Sequence, residues 1–454
     1  MSLRSINPYD GTLLATIESW DAVKLNHALQ DSADARQAWA DTAIEKRCSL
    51  MQEVARVLHA RRDELARLIS LEMGKLIGEA TAEVEKCASV CEYYAENGIA
   101  FLADESLASD AGHSYVAYQP IGTVLAVMPW NFPLWQVFRF AVPALVAGNT
   151  ALLKHASNVP QCALVMEEVF HQAGLPDNIF TSLMISASMV GSVIADERVH
   201  AVTLTGSEPA GSAVAAQAGK YLKKSLLELG GSDAFIILED ADLDAAVQAA
   251  VISRYLNCGQ SCIAAKRFIP VAAIADEFAQ RFKQAVEALV PGNPLDVSVS
   301  LAPMARYDLR DDLHKQVLDS IHNGATALTG CMPEGGEGSF YQASILDHVK
   351  PGMRAYNEEL FGPVAIIIRA SDEQDALHIA NCSRFGLGGS VWTEDPDRGE
   401  KVARAMQCGC AFVNGVVKSD PRLPFGGVKA SGYGRELSHH GIREFVNAKT
   451  VWIR

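Results

Sequence analysis

Apolar residues recur at three- and four-residue intervals along AIEKRCSLMQEVARVLHARRDELARLISLEMGK (43–75) and LIGEATAEVEKCASVCEYYAENG (76–98). That period predicts long amphipathic helices. Beyond residue 113 the pattern changes. SYVAYQPIGTVLAVMPW (114–130) reads as strand, LWQVFRFAVPALVAG (134–148) as helix, and TALLKHAS (150–157) as a buried strand. NVPQCALVMEEVFHQAGLP (158–176) returns to helix, and VHAVTLTGS (199–207) is a strand feeding the turn and helix of EPAGSAVAAQAGKYL. Strands alternating with helices of this length imply βαβ units and a parallel sheet. A second alternation runs from DAFIILEDADLDAAVQAAVISRYL (233–256) through EFAQRFKQAVEALV to GPVAIIIRASDEQDALHIANCS (362–383). The expectation is an α/β chain with two such units, without internal repeat, low-complexity tract or flexible linker.

Composition narrows the function classes. The chain has 454 residues, 49% hydrophobic and 20% charged, the profile of a globular enzyme too long for one core. A formal net charge of −15 argues against nucleic-acid or anionic-membrane partners, which require a basic face. The most apolar region, 123–153, is broken by Pro129, Asn131, Pro133, Arg139 and Pro143 and reads as core rather than a membrane span. The start MSLRSINPYDGTLL lacks a signal-peptide pattern. Together with ten cysteines, this favours reduced thiols and a cytoplasmic location.

RYLNCGQSCIAAKR (254–267) holds two cysteines four residues apart, Cys258 and Cys262. The spacing alone does not choose between them, and both also read as small half-buried apolar residues. C-x-x-x-C without a second ligand pair is no zinc signature, and His439 and His440 in SHHG bring no carboxylate or cysteine cluster. No metal is expected. LTGSEPAGS places Gly206, Ser207 and Gly211 where a strand meets a helix N-terminus, a natural pyrophosphate cradle. It is not G-x-G-x-x-G, so an ordinary tight βα connection fits as well.

Seven segments in order carry a family resemblance. They are MPWNFP (128–133), LLKHAS (152–157), TGSEPAG (205–211), LELGGSD (227–233), GQSC (259–262), EELFGPV (358–364) and PFGGVKASGYGRE (424–436). Over essentially the full chain this resembles the NAD(P)-dependent aldehyde dehydrogenase superfamily, and within it bacterial succinate-semialdehyde dehydrogenases with ELGGSD. The resemblance implies an aldehyde dehydrogenase-like α/β fold. Its parts are a Rossmann-type cofactor domain (1–108 and 121–228), an α/β catalytic domain (229–430) and small oligomerisation strands (109–120 and 440–454). It implies a small-molecule aldehyde substrate, NAD or NADP as cofactor, and a homodimer or homotetramer.

By the same resemblance Cys262, not Cys258, is the nucleophile, Asn131 an oxyanion donor beside the Cys262 backbone N–H, and Glu228 the base that activates water. The flexibility of Gly230 and Gly231 is expected to serve the approach of Glu228. Trp130, Lys154, Ser157, Gly206, Ser207, Glu359 and Phe361 match cofactor-binding positions. Ser157, where NAD-specific relatives often carry glutamate, is expected to admit the 2′-phosphate of NADP. His155 is either a second partial positive charge there or a packed polar residue. Ser232 stands where most relatives have lysine.

Arg139 matches the arginine that grips a carboxylate in semialdehyde-oxidising relatives, or else pairs with a structural acid. A second such arginine falls at Leu256 here. Lys418, Ser419 and Arg422 are the neighbouring candidates to compensate. The alternatives are glutaric semialdehyde, an aliphatic aldehyde, or a non-catalytic binding protein of the same fold. A reversible Cys258–Cys262 disulfide is a further expectation.

Overall fold

Residues 2–454 are described by a computed structural model. The alternation read between 114 and 228 folds as a parallel sheet. Its centre is Thr123–Met128, flanked by Thr150–His155 and Ala201–Thr205, with Phe180–Ser182 and Lys224–Glu228 outside them. The central strands are buried on both faces, as near-continuous apolar runs in a parallel sheet should be. Register pairs Val127 with Lys154 and Thr205 with Glu228. Lys154, Thr205 and Glu228 therefore stand together at the carboxyl ends of their strands, where open α/β sheets bind ligands.

The sheet's far edge is closed by Gly432–Tyr433, antiparallel to Lys224–Glu228, with Gly432 opposite Glu228. The C-terminal segment thus returns to cover the Glu228 end of the sheet. Helix Trp135–Val146 is buried along its whole length. It accepts Pro143 because apolar burial on every side offsets one missing N–H. Helix Ile77–Phe101 packs against it.

A second sheet of seven strands runs Thr326–Thr329, Ser344–Asp347, Val364–Ile367, Ala265–Pro270, Asp233–Ile237, Gly388–Trp392 and Cys410–Val413. Only its first pair is antiparallel. A third sheet pairs Val446–Ile453 with His113–Pro120, and Glu105–Ser106 lies on its other side. This last strand falls inside the stretch assigned to the cofactor domain from sequence. Trp452 and Ile453 leave about half their surface exposed there.

The pattern at 43–75 resolves into two helices, Ile44–Ala60 and Arg62–Met73, the second ended by Gly74 at φ 83°. Helix Ala22–Ala40, helix Tyr307–His322 and the hairpin of Ser2–Ile6 with Leu13–Glu18 do not follow from the periodicity read above. No helix among the described residues is long and apolar enough to cross a membrane.

Candidate active site

The cysteine loop follows helix Leu243–Tyr255, and its backbone is unusual. Asn257 and Cys258 (both φ 53°) and Gly259 (φ 69°) adopt left-handed conformations in succession. Such a run is costly for residues with a Cβ and persists only when the surroundings over-determine it. Two buried cations do this. The Arg254 guanidinium donates to the carbonyls of Gly259 (2.9 Å), Leu360 (3.0 Å), Ala265 (3.2 Å) and Gly362. The Lys266 ammonium donates to the carbonyls of Ser261 and Cys262, both at 2.7 Å, and pairs with Glu359 at 3.1 Å. Neither residue stands out in the sequence. An arginine or lysine within three or four residues of such a loop is the signal that was available.

This clamp separates the two cysteines. Cys258 is 1% exposed, and burial pushes its thiol well up. Cys262 is half-buried and lines two cavities, of about 250 and about 370 Å³, that share it and Gln136 as a common wall. Burial pushes the Cys262 thiol up to about 12, against the opposing pull of Arg139 and Lys266. The protein alone therefore holds this thiol protonated at neutral pH.

Asn131 is buried beside it and lines the smaller cavity. Its Nδ2 donates one hydrogen to the Gln260 carbonyl at 3.0 Å, and its own carbonyl accepts from Asn257 at 2.7 Å. The amide has two donors, so one N–H remains for a ligand. The Cys262 backbone N–H has no acceptor among the described residues. Glu228 lines the same cavity, 2% exposed, and neither carboxylate oxygen has a hydrogen-bond partner among those residues. Burial first, and then Glu436, raise its pKa well above the usual carboxylate range, with Arg139 and Arg435 opposing.

Gly230 and Gly231 correct an expectation. Neither has a positive φ, so conformational freedom is not their purpose. A Cβ on Gly230 would collide with the Glu359 carboxylate, and one on Gly231 would lie 2.7 Å from the Cys262 carbonyl. Space is what both supply. Glu359 also accepts from the Gly231 N–H at 3.1 Å. Lys266 reaches Glu359 in a chain whose residue 232 is serine.

The smaller cavity is also lined by Trp130, Gly206, Ser207, Glu359 and Phe361, five of the expected cofactor positions. Trp130 and Phe361 meet edge to face at 5.9 Å. Gly206 is not crowded, since a Cβ there would make only an ordinary contact, with Leu204 Cδ2 at 3.5 Å. Ser207 precedes helix Glu208–Lys220 without a side-chain cap bond, so that N-terminus offers free N–H groups. Gly211 is instead a packing glycine, pressed on Leu229. Lys154 is buried at its strand end with no acidic partner among the described residues, and burial lowers its pKa. Ser157 lies exposed two residues beyond the same strand.

His155 is the packed polar residue of the two readings. One ring nitrogen meets the Pro133 carbonyl at 2.8 Å and the other accepts from Ala156. Burial pushes its pKa down to about 4, so it adds no charge. Beyond Gly206 a cleft of about 380 Å³ is walled by Val127, Val190, Ile194, Leu204 and Val214. Sequence reasoning missed this slot, because its residues come from short apolar runs without a motif. A strand-end lysine, an uncapped helix N-terminus and an apolar slot in series fit the ribose, pyrophosphate and base of a dinucleotide.

The larger cavity is lined by Phe132, Trp135, Arg139, Ile263, Phe425 and the helix positions Glu79, Ala82, Glu83 and Lys86, among others. Here the expected role of Arg139 as a free carboxylate grip needs correction. Its guanidinium is buried in an ion pair with Glu436, lies 4.8 Å over the Phe425 ring, and reaches Thr205 Oγ1 at 3.4 Å. A charge already matched by a buried carboxylate has little left for a second. The structural-acid alternative describes what the fold contains. Leu256, where a second arginine would fall, also lines this cavity. Arg422 pairs with Asp420, whereas Ser419 lines the cavity. The His439 and His440 rings lie 4.1 Å apart, tilted by 38° to each other.

Two α/β sheets that bring a half-buried cysteine between a dinucleotide-shaped cleft and a separate apolar, cation-bearing cavity define a cofactor-dependent oxidoreductase of the cysteine type. A family model for the aldehyde dehydrogenase family matches residues 1–451, and the chain belongs to that family. It is 48% identical over 453 residues to a Synechocystis protein named "Probable succinate-semialdehyde dehydrogenase", NADP(+)-type, covering all of both chains. It is 48% identical to an Escherichia coli succinate semialdehyde dehydrogenase of NAD(P)+ type, covering 99% of this chain and 97% of the relative. Among solved structures, succinic semialdehyde dehydrogenase from Streptococcus pyogenes in complex with NADP+ superposes with a TM-score of 0.98, at 38% identity and 99% coverage of each chain.

Proposed function

We propose that this chain oxidises succinic semialdehyde to the acid with NADP+ or NAD+. One observation carries the reading. Cys262 is the shared wall of two cavities, one lined like a dinucleotide cleft and the other closed by aromatic and cationic side chains. An aldehyde in the second cavity meets the thiol where a hydride can leave through the first. The full-length relatives named above supply the substrate class.

In this reading the half-buried Cys262 thiol gives up its proton to solvent as its Sγ bonds to the aldehyde carbon. The oxygen of the thiohemiacetal is held by the unused Asn131 Nδ2 hydrogen and the Cys262 backbone N–H, donors that no described residue claims. Preorganised donors of this kind are worth about 10²–10³ in rate each. NAD(P)+, when bound, supplies the hydride acceptor and a positive ring charge. Trp130, Gly206, Ser207, Glu359 and Phe361 line its cleft, and Lys154 and Ser157 stand at the end of the neighbouring strand. Glu228, whose carboxyl must first ionise against the burial that raises its pKa, then takes a proton from the water that cleaves the Cys262 thioester and releases the acid. Its carboxyl, unpartnered among the described residues, is free to turn to that water.

The same reading divides the chain into a cofactor domain (1–108 and 121–228), a catalytic domain (229–430) and oligomerisation strands (109–120 and 440–454). The exposed edge of Val446–Ile453, with Trp452 and Ile453 half exposed, supports a homodimer or homotetramer. The test is initial-rate measurement with succinic semialdehyde, glutaric semialdehyde and butanal against NADP+ and NAD+. A kcat/KM for succinic semialdehyde no higher than for butanal would defeat the substrate assignment.

A further inference from the structure

The substrate cavity contains a cation that the motifs did not mark. Helix Ile77–Phe101 presents Glu79, Ala82, Glu83 and Lys86 to the cavity, positions three or four apart and so on one face. Glu83 is fully engaged, by the Lys75 ammonium and by the backbone N–H groups of Leu134 (2.9 Å) and Trp135 (3.0 Å). Lys86, one turn on, has no carboxylate within ion-pair distance among the described residues. Its ammonium donates to Ser419 Oγ at 2.7 Å and lies 4.3 Å from the centre of the Trp135 ring. Of the other cations on this cavity, Arg139 is matched by Glu436 and Lys418 is exposed to solvent.

Ser419 completes the arrangement. Its oxygen accepts from Lys86 and also from Trp135 Nε1 at 3.2 Å. A hydroxyl receiving two donors turns its own hydrogen away from both, and no acceptor among the described residues takes it. The cavity wall therefore offers an ammonium with N–H groups to spare and an O–H without an acceptor. Two unmatched donors, one charged, beside the apolar side chains of Phe132, Trp135, Ile263 and Phe425 on the same wall, suit an apolar chain ending in an oxyanion.

We propose that Lys86, with the Ser419 hydroxyl beside it, binds the remote carboxylate of the substrate and sets the preference for an acid-ended aldehyde. The proposal rests on the semialdehyde reading above. It supplies a carboxylate grip in a chain with Leu256 at the second arginine position and with Arg139 tied to Glu436. The charge balance around Lys86 is mixed. Burial, the largest influence, brings its pKa down to about 8; Arg139 also opposes its protonation, while Cys87, Glu83 and Asp420 favour it. Glu79, on the same wall, is itself pushed up to about 7 by burial. The ammonium is complete well below pH 8 and is lost as pH rises through that value.

The test compares kcat/KM for succinic semialdehyde and for butanal, with NADP+, in the parent and in Lys86→Met. The parent is expected to prefer the semialdehyde. Lys86→Met should lower the semialdehyde value by about 10- to 100-fold, chiefly through KM, with at least tenfold less change for butanal, and Lys86→Arg should restore part of it. Equal losses for the two aldehydes, or a preference kept in Lys86→Met, would overturn the role of Lys86 while leaving the semialdehyde reading intact. A parent without preference would overturn both. A second measurement needs no variant. The parent's semialdehyde-to-butanal ratio should fall as pH rises through about 8, cancelling any titration common to both aldehydes, and a flat ratio from pH 7 to 9 counts against Lys86.

Discussion

The two cavities that meet at Cys262 are built in different ways. The cofactor side is made of strand ends, glycines and a helix N-terminus. Lys154, Gly206, Ser207 and Gly230 stand where successive parallel strands stop, and the register of a single sheet brings them together. The substrate side is made of side chains from separate places: helix Ile77–Phe101, helix Trp135–Val146, the cysteine loop and the segment 416–425. Under the proposed function, backbone geometry receives what is common to every reaction of this kind, a dinucleotide, and side chains drawn from distant segments receive what differs, the aldehyde. Substitutions on the two sides should therefore fail in different ways.

The shared wall should give the largest effect. Cys262→Ala removes the nucleophile from both cavities, and a loss of about 10⁴-fold or more in turnover is expected. Cys258→Ala should keep most activity, because that thiol is 1% exposed and touches neither cavity. Equal loss of turnover in both variants, measured by reduced-nicotinamide absorbance, would mean that the loop rather than one sulfur carries the reaction.

Arg139 lines the substrate cavity but is tied to Glu436, and the consequence is a uniform effect. Removing it leaves Glu436 and Glu228 as neighbouring buried carboxyls without their cation. Breaking a buried pair from one side typically costs about 3–5 kcal/mol. Arg139→Ala should lower the unfolding midpoint and reduce kcat/KM for succinic semialdehyde and butanal alike. A selective rise in KM for the semialdehyde alone would return Arg139 to the role of carboxylate grip.

The difference between the cavities also explains what could be read in advance. The α/β alternation, the strand ending at His155 and the turn at Gly206 were legible because periodicity and turn chemistry are local. The cysteine loop was legible as a motif but not as a structure. Three left-handed residues in a row, held by Arg254 and Lys266, depend on carbonyls up to 108 positions away. Gly230 and Gly231 were identified for the wrong physical reason, since their φ values are ordinary and the crowding comes from Glu359 and Cys262. Arg139 was identified without its partner, because Glu436 lies far along the chain and only folding brings it near. Lys86 was invisible within an ordinary amphipathic pattern.

Glu228 offers a smaller effect that is read through pH. Its folded pKa lies above the unfolded one, chiefly through burial. Between the two values the unfolded chain has released a proton that the folded chain retains, so stability falls as pH rises above about 4.3. Glutamine at this position does not titrate. Glu228→Gln should therefore lose turnover by about 10²–10⁴-fold and yet gain unfolding free energy over the parent as pH increases. The gain is at most about 1.4 kcal/mol per pH unit for one proton. Denaturant midpoints at about pH 5, 6.5 and 8 bracket the range in which the unfolded carboxyl is ionised, and a constant difference would show that the carboxyl is ionised in the folded protein.

Cofactor choice should respond to one residue on the other side, without disturbing the aldehyde cavity. Ser157 is exposed just beyond the strand that ends with Lys154 and His155, and it leaves the space over that strand end uncharged. Lys154 has no acidic partner among the described residues, and under the proposed function its ammonium takes the phosphate on the adenosine ribose. Ser157→Glu places a carboxylate beside that position. At an effective dielectric of about 20, two unit charges about 4 Å apart repel by roughly 4 kcal/mol. Solvent exposure reduces this, and a third of it still changes a ratio of specificity constants about tenfold. The same carboxylate accepts hydrogen bonds from the free ribose hydroxyls of NAD+, which moves the ratio in the same direction. The NADP+ to NAD+ ratio of kcat/KM is therefore expected to fall by about tenfold, with the semialdehyde-to-butanal ratio unchanged because Ser157 does not line that cavity. An unchanged cofactor ratio would mean that residue 157 does not face the ribose.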